Sequence, residues 1–226
     1  SGELLHRRGY RLATCKAPLR ETLAAAMLLA AEYDGSAPLL DPMCGSGTIP
    51  IEAALLARRI PPGLRRRFAF ESWPGFEAER WRVLIAEGYE RILPGALAPI
   101  LGSDRDEGAV AAAGANAERA GIASDVAFRR AAISAIERPD QAGWLITNPP
   151  YGVRVGERVR LRNLFAQLGN VARRRCPGWR IAFLSAHLEL ERQTGLPLEP
   201  RFATLNGGIR VRLMQGIVPG TRAAPA

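Results

Sequence analysis

The sequence predicts a doubly wound α/β fold with a mostly parallel sheet, an antiparallel terminal hairpin and one helical, aromatic insertion. Short apolar runs alternate with Ala- and Leu-rich helical segments along the 226 residues, which is typical of a parallel sheet covered by helices. Asn206-Gly207-Gly208 lies between the last two apolar runs and indicates the hairpin. Asp41, Asp104 and Asn148 lie at the ends of three apolar runs. Because such sheets bind ligands beyond the carboxyl ends of their strands, we expect these side chains to converge on one rim.

The first half of the chain begins with a short basic lead-in, which we expect to be irregular or extended. Pro18 favours a helix start, because proline fits the first turn, and Gly45-Ser46-Gly47 turns the chain between a strand and the next helix. Residues 60–99 are too long for a simple connection and predict an insertion. We expect its aromatic residues to pack in a small cluster, with base-stacking platforms as the alternative. The predicted ranges are 18–33, 48–59 and 77–93 for helices, and 37–41 and 100–103 for strands.

The second half continues the alternation. Gly121 closes an Ala-rich helix, and Pro177-Gly178 ends a helix that is basic on one side. The predicted ranges are 107–120 and 159–175 for helices, and 126–130, 144–147, 179–185, 202–205 and 209–217 for strands. We divide the chain into a lead-in with its helix (1–35), the main domain (36–218) and a disordered tail (219–226).

The composition narrows the class of protein. Hydrophobic residues make up 47% of the chain, but no apolar run approaches the roughly 18 uncharged residues that indicate a membrane helix. Three cysteines without CxxC spacing and two histidines form no zinc motif, so we expect no metal and free thiols in a reducing cytoplasm. The net charge of +9 favours a polyanionic partner, most simply nucleic acid; an Arg-rich, lysine-poor chain is also typical of a GC-rich genome.

The glycine turn predicts a cofactor site. Gly45 and Gly47 let the backbone approach a ligand, whereas Pro50 stands where the dinucleotide fingerprint needs a third glycine, and no phosphate-loop lysine follows. A carboxylate at Asp104 suits a ribose diol, and Asp41 suits an ammonium group, directly or through water. Either acid alone is also typical of a helix cap or a solvated turn. Together they favour a ligand with a ribose and no pyrophosphate, namely S-adenosylmethionine.

The stretch Asn148-Pro149-Pro150-Tyr151 ends a buried apolar run. Two prolines stop the strand, because neither can donate to the sheet, and they leave free carbonyls beside an amide and an aromatic ring. Such a set suits a flat group that carries an amino substituent. On its own, the stretch is equally typical of a strand followed by a proline turn.

These stretches resemble a family. Asp41-Pro42-Met43-Cys44-Gly45-Ser46-Gly47-Thr48, Gly102-Ser103-Asp104 and Asn148-Pro149-Pro150-Tyr151-Gly152 are similar to the Rossmann-like class I methyltransferases associated with THUMP domains. Within that group, the lead-in Leu5-His6-Arg7-Arg8-Gly9-Tyr10-Arg11 and the segment Ala17-Pro18-Leu19-Arg20-Glu21 favour the bacterial 23S rRNA guanine-N2-methyltransferases. The resemblance covers nearly the whole chain. It implies an enzyme that uses S-adenosylmethionine, acts on RNA and works in the cytoplasm.

The resemblance also implies the site residues. The implied cofactor-binding residues are Asp41, Pro42, Cys44, Gly45, Gly47, Thr48, Asp104 and Asn148. The implied catalytic residues are Asn148, Pro149 and Tyr151. The sequence departs from the family at Ala132, where relatives often carry an acid that bonds the adenine amino group, and we therefore expect weaker cofactor affinity.

The motif implies a mechanism for methylating an exocyclic amino group, whose lone pair is delocalised into the ring. The Asn148 side-chain oxygen and the Pro149 carbonyl each accept one N–H, which points the nitrogen lone pair at the methyl group. Tyr151 stacks on the target base, flipped out if it is paired. Arg154, Arg158, Arg160 and Arg162 follow the motif and could hold phosphates, although a solvated helix face also explains them.

Several readings remain open. Asn-Pro-Pro-Tyr is shared with adenine-N6 and protein glutamine-N5 methyltransferases, and tRNA is an alternative to 23S rRNA as the substrate. A non-catalytic RNA-binding domain with a decayed cofactor site is the alternative outside enzymes. The chain starts at Ser1-Gly2-Glu3 without methionine or a signal peptide, so we expect a trimmed chain that lacks an upstream THUMP-type domain.

Overall fold

A computed structural model describes residues 4, 7–11, 19–64, 66–151 and 158–220. One seven-stranded sheet runs through it in the order β3-β2-β1-β4-β5-β7-β6. The first five strands pair in parallel, and β7 pairs antiparallel with both β5 and β6. The strands are β1 (Leu39–Asp41), β2 (Ile100–Asp104), β3 (Val126–Arg130), β4 (Trp144–Thr147), β5 (Arg180–Ser185), β6 (Leu198–Asn206) and β7 (Ile209–Ile217).

Helices cover both faces of the sheet. Neighbouring residues of a strand point to opposite faces, so Leu39 packs in one apolar cluster and Leu40 in the other. The first cluster includes buried residues of α1, α2 and α4, and the second those of α5. The helices are α1 (Glu21–Ala30), α2 (Thr48–Ala57), α3 (Ala78–Glu90), α4 (Glu107–Ala120), α5 (Arg158–Arg175) and α6 (Leu188–Gln193), and two short 3-10 helices span Ala69–Ser72 and Ile133–Ala135. The predicted doubly wound sheet with its antiparallel hairpin is confirmed.

Strand β6 is longer than the sequence predicts, since it starts at Leu198 instead of residue 202. Pro200 interrupts the strand pattern because proline has no N–H to donate. The structure tolerates it because β6 is an edge strand and its register shifts between Pro200 and Phe202. Helix α6 was not predicted either, because six residues are too few to show a helical period.

The insertion between α2 and β2 holds its own aromatic cluster. Phe70 lies at its centre, with ring centroids 5.1 Å from those of Phe68 and Trp81 and 5.9 Å from that of Phe76. These four rings pack on one another, as expected, whereas Trp73 is exposed. Helix α3 buries none of its residues.

The described residues leave out part of the lead-in, the start of the first helix at Pro18 and the tail from residue 221 onward. Within the described part, α1 begins at Glu21. None of the described helices has the length and apolar character needed to cross a membrane.

Candidate functional site

The carboxyl ends of β1, β2 and β4 meet at one rim of the sheet. Strand β1 lies between the other two, with Asp41 in register with Gly102 of β2 and Leu40 with Leu145 of β4. Parallel pairing therefore brings Asp41, Asp104 and Asn148 to the same edge, although they are far apart in the sequence.

Asp41 is almost fully buried, with 1% of its surface exposed. Its Oδ1 atom accepts hydrogen bonds from the Thr147 hydroxyl at 2.6 Å and from the Met43 N–H at 3.1 Å. Burial raises the pKa of Asp41 from its ordinary 3.8 to about 7, although both hydrogen bonds act in the opposite direction. A buried carboxyl that is half-ionised near neutral pH is well suited to a cation, because a bound cation would favour the charged form.

Asp104 joins β2 to the glycine turn. Its Oδ2 accepts the Gly45 N–H at 3.0 Å, and its Oδ1 accepts the Asp106 N–H at 3.0 Å. A carboxylate offers about four lone-pair positions, so each oxygen can still accept a hydroxyl. The two backbone bonds fix the orientation of the carboxylate.

The turn itself depends on its two glycines. Gly45 and Gly47 have φ angles of +52° and +83°, in the left-handed region that side chains rarely adopt. A Cβ atom at Gly47 would lie 2.9 Å from Ala113 Cβ and 2.9 Å from Phe128 Cζ, whereas a Cβ atom at Gly45 would meet nothing within 4 Å. Gly47 thus permits close packing of the turn against α4 and β3, and Gly45 borders open space where a ligand can approach.

The remaining cofactor candidates surround this turn. Cys44 is buried, and its N–H donates to the Ser103 carbonyl at 2.9 Å. Pro42 is buried directly after β1, and Thr48 is the buried first residue of α2. All of them lie along one continuous stretch from β1 into α2.

Asn148 follows β4 directly. Its Oδ1 atom is buried and accepts no hydrogen bond from any residue in the described part of the chain. A buried carbonyl oxygen without a donor carries a desolvation cost, which a ligand with an N–H group would remove. Pro149 is buried beside it.

Tyr151 is more deeply buried than expected for a residue that stacks on a base. Its side chain is 8% exposed and belongs to the first apolar cluster, and its hydroxyl accepts a hydrogen bond from Asn206 Nδ2. Burial raises the pKa of the hydroxyl. Stacking on a base would need one face of this ring to be uncovered, and the role stays a prediction.

The basic residues after the motif are only partly described. Arg154 lies in the segment 152–157, outside the described residues. Arg158, Arg160 and Arg162 are exposed in the first turns of α5, which buries Leu161 and Phe165 on its other side. Ala132 is exposed after β3, next to Ala131, whose N–H donates to the Asp104 carbonyl at 2.9 Å.

Sequence reasoning missed Thr147, which we predicted only as the end of a strand. It is fully buried, and its hydroxyl joins the carboxyl end of β4 to Asp41 of β1. A threonine that closes an otherwise apolar run was the available signal. Ser103 was also missed, and its buried hydroxyl oxygen has no hydrogen-bond partner among the described residues.

The rim fits S-adenosylmethionine on these observations. A buried carboxyl suits the ammonium group, a fixed carboxylate suits the ribose, and open space beside Gly45 admits a ligand. No group of His, Cys, Asp and Glu in the described ranges could hold a metal ion.

Known proteins resemble this chain in sequence and in fold. The chain is 43% identical over 219 residues to ribosomal RNA large subunit methyltransferase K/L from Magnetococcus marinus. It is 41% identical over 224 residues to the protein of the same name from Chromohalobacter salexigens. These alignments cover 92% and 94% of this chain. The chain spans only 30% and 31% of the length of these relatives.

Solved structures agree with the sequence relatives. The structure of SMU.472 complexed with SAH superposes with a TM-score of 0.87 at 31% identity, over 99% of this chain and 58% of that one. A predicted N6-adenine-specific DNA methylase from Listeria monocytogenes superposes with a TM-score of 0.80 at 33% identity, over 94% and 55%. Residues 8–210 match the family model described as RMKL-like, methyltransferase domain. The chain therefore belongs to the RMKL-like methyltransferase domain family, and its fold is that of the class I methyltransferases.

Proposed function

We propose that this chain transfers a methyl group from S-adenosylmethionine to the exocyclic N2 amino group of guanosine in RNA, and that the RNA is 23S rRNA. The observation that carries the chemistry is the buried Oδ1 atom of Asn148, which has no hydrogen-bond donor among the described residues and lies at the same rim as Asp41 and Asp104. The names of the relatives, ribosomal RNA large subunit methyltransferase K/L, support the choice of substrate.

The cofactor-holding residues have distinct roles in this proposal. Asp41 binds the ammonium group, Asp104 accepts from the ribose hydroxyls, and the turn from Pro42 through Cys44, Gly45 and Gly47 to Thr48 encloses the ligand. When bound, S-adenosylmethionine supplies an electrophilic methyl group on its sulfonium.

The acceptor-holding residues orient the nucleophile. Asn148 Oδ1 and the Pro149 carbonyl each accept one N–H of the amino group, which directs the nitrogen lone pair and stabilises the positive charge that develops on it. Asn148 is not a base; the nitrogen becomes acidic only after methylation, and water then takes the proton. Tyr151 stacks on the base, and Arg154, Arg158, Arg160 and Arg162 contact phosphates.

Labelled S-adenosylmethionine, offered with under-methylated rRNA, tRNA, DNA and protein, tests the proposal when the products are digested and analysed. N2-methylguanosine in rRNA would support both the reaction and the substrate. The same product in tRNA would support the reaction but identify tRNA as the substrate. Failure to label any acceptor, together with failure to bind the cofactor, would favour a non-catalytic domain.

Adenine-N6 transfer is the second candidate. The Listeria monocytogenes structure, which carries that description, is 33% identical to this chain and superposes with a TM-score of 0.80. N6-methyladenosine, in place of N2-methylguanosine, would identify this activity in the same nucleoside analysis.

A further inference from the structure

Tyr10, in the described part of the basic lead-in, belongs to the first apolar cluster. Tyr10 is 4% exposed, and its hydroxyl donates to Glu52 Oε1 of α2 at 2.8 Å. Arg8 Nη2 lies 2.9 Å from Glu52 Oε2, and both side chains are largely buried. The lead-in is thus fixed to the helix that follows the glycine turn.

A second set of hydrogen bonds runs from the lead-in through α4 to the turn. Arg119 Nε donates to the Tyr10 carbonyl at 2.8 Å, and Arg119 Nη2 donates to Asn116 Oδ1. Asn116 Nδ2 then donates to the Ser46 carbonyl at 3.0 Å. We call Arg119, Asn116 and Ser46 the relay, which the Tyr10 backbone carbonyl anchors at one end. Asn116 is fully buried, and because Arg119 engages its oxygen, its nitrogen faces the turn.

Ser46 is the middle residue of the glycine turn and is buried. It stands between Gly45 and Gly47, which have no Cβ atom to restrict their φ and ψ angles. The N–H groups of Cys44 and Gly45 are tied to β2, and the bond from Asn116 fixes the next carbonyl. The N–H of the same peptide, on Gly47, donates to the Cys44 carbonyl at 2.8 Å, so Asn116 holds the other side of the Ser46–Gly47 peptide. A site ordered in advance loses less entropy when it binds a ligand.

We propose that Asn116 is a positioning residue of the cofactor site, and that Arg119 and the lead-in hold the Asn116 side chain in place. This inference rests on the proposed role of the glycine turn in binding S-adenosylmethionine. The lead-in thereby contributes to cofactor binding, although its basic residues alone suggest a solvated surface.

Two relay variants test the inference. Asn116→Asp keeps the shape and the acceptor for Arg119 but removes the donor to Ser46, and Arg119→Met removes the guanidinium donors without touching the turn. We expect both to weaken the binding of S-adenosylhomocysteine about tenfold at pH 8, as calorimetry would measure. Glu118→Gln is the matched control, because Glu118 is exposed on the same helix.

Tyr10→Phe controls for lost stability. It removes the buried hydrogen bond to Glu52 but keeps the backbone carbonyl that Arg119 contacts, so we expect wild-type affinity with a lower unfolding temperature. If the relay variants bind as tightly as these two controls, the inference is wrong.

Hydrogen exchange gives a readout that needs no cofactor. In the ligand-free protein, the amides of residues 44–49 should exchange faster in both relay variants than in the two controls. Unchanged exchange there would also overturn the inference. If the wild-type protein fails to bind S-adenosylhomocysteine, the proposed function fails, and the exchange experiment still decides whether Asn116 orders the turn.

Discussion

The hydrogen bond from Thr147 to Asp41 controls how much of the Asp41 carboxyl is ionised at neutral pH. Both side chains are buried, and their oxygens are 2.6 Å apart. Thr147→Val keeps the shape but removes the donor. A hydrogen bond to a charged group contributes about 1.5–3 kcal/mol, so its loss should raise the pKa of Asp41 by roughly one to two, to about 8–9.

This change predicts a pH-dependent loss of cofactor affinity. At pH 7 the ionised share of Asp41 would fall from about half to between roughly a tenth and a hundredth, and S-adenosylhomocysteine should bind about five to fifty times more weakly. At pH 9 Asp41 is largely ionised in the wild type and at least about half ionised in the variant, so the gap should shrink to about twofold or less.

Calorimetric titration of wild type, Thr147→Val and Thr147→Ser at both pH values measures this gap. Comparison at equal pH cancels the titration of the cofactor's own amino group, and Thr147→Ser should stay near wild type because it keeps the hydroxyl. A gap that is equally large at pH 7 and pH 9 would show that Thr147 does not act through the ionisation of Asp41.

Three further predictions concern the rim and its support. Asn148→Ala should lower methyl transfer at least about a hundredfold while cofactor affinity changes less than about threefold; equal loss in both assays would make Asn148 a structural residue. Ala132→Asp should tighten cofactor binding about fivefold, since it places a carboxylate acceptor in the loop whose Ala131 N–H donates to the Asp104 carbonyl. Unchanged affinity would contradict the assignment of Ala132 to the position where relatives carry an acid. Burial raises the pKa of Glu52 from 4.5 to about 7, so protonation favours the folded state and the free energy of unfolding should fall as pH rises from about 4.5 towards 7. Urea denaturation should show that the free energy of unfolding falls less over this pH range in Glu52→Gln than in the wild type. An identical dependence on pH in both proteins would refute the contribution of Glu52.

The main elements of the fold were predictable because local signals mark their ends. Gly121 closes α4 in the left-handed conformation, and the predicted and observed bounds of that helix agree. Pro200 hid the first half of β6, because tolerance of proline depends on a strand's place at the sheet edge. Helix α6 was hidden because it spans only six residues, and its buried Glu191 pairs with a distant residue, the Arg212 guanidinium at 2.8 and 2.9 Å.

The site was predictable only where topology decides it. Strand ends in a parallel sheet share one rim, so Asp41, Asp104 and Asn148 could be placed there from the alternation of strands and helices. Thr147 and Asn116 could not be assigned partners, because their hydrogen bonds join residues 106 and 70 positions apart. Each is a polar residue within an apolar stretch. Such a position predicts that the side chain is buried, but not which atom it contacts.

The position of β7 has a consequence for how the protein is made on the ribosome. Strand β6 is synthesised first, yet it has no place in the sheet until β7 enters between it and β5. Until residue 217 has left the exit tunnel, β5 presents an open edge and β6 remains unpaired. The nascent chain therefore passes through a stage with an open sheet edge at β5 and one unpaired strand, β6, during which pairing with other chains competes with completion of the sheet.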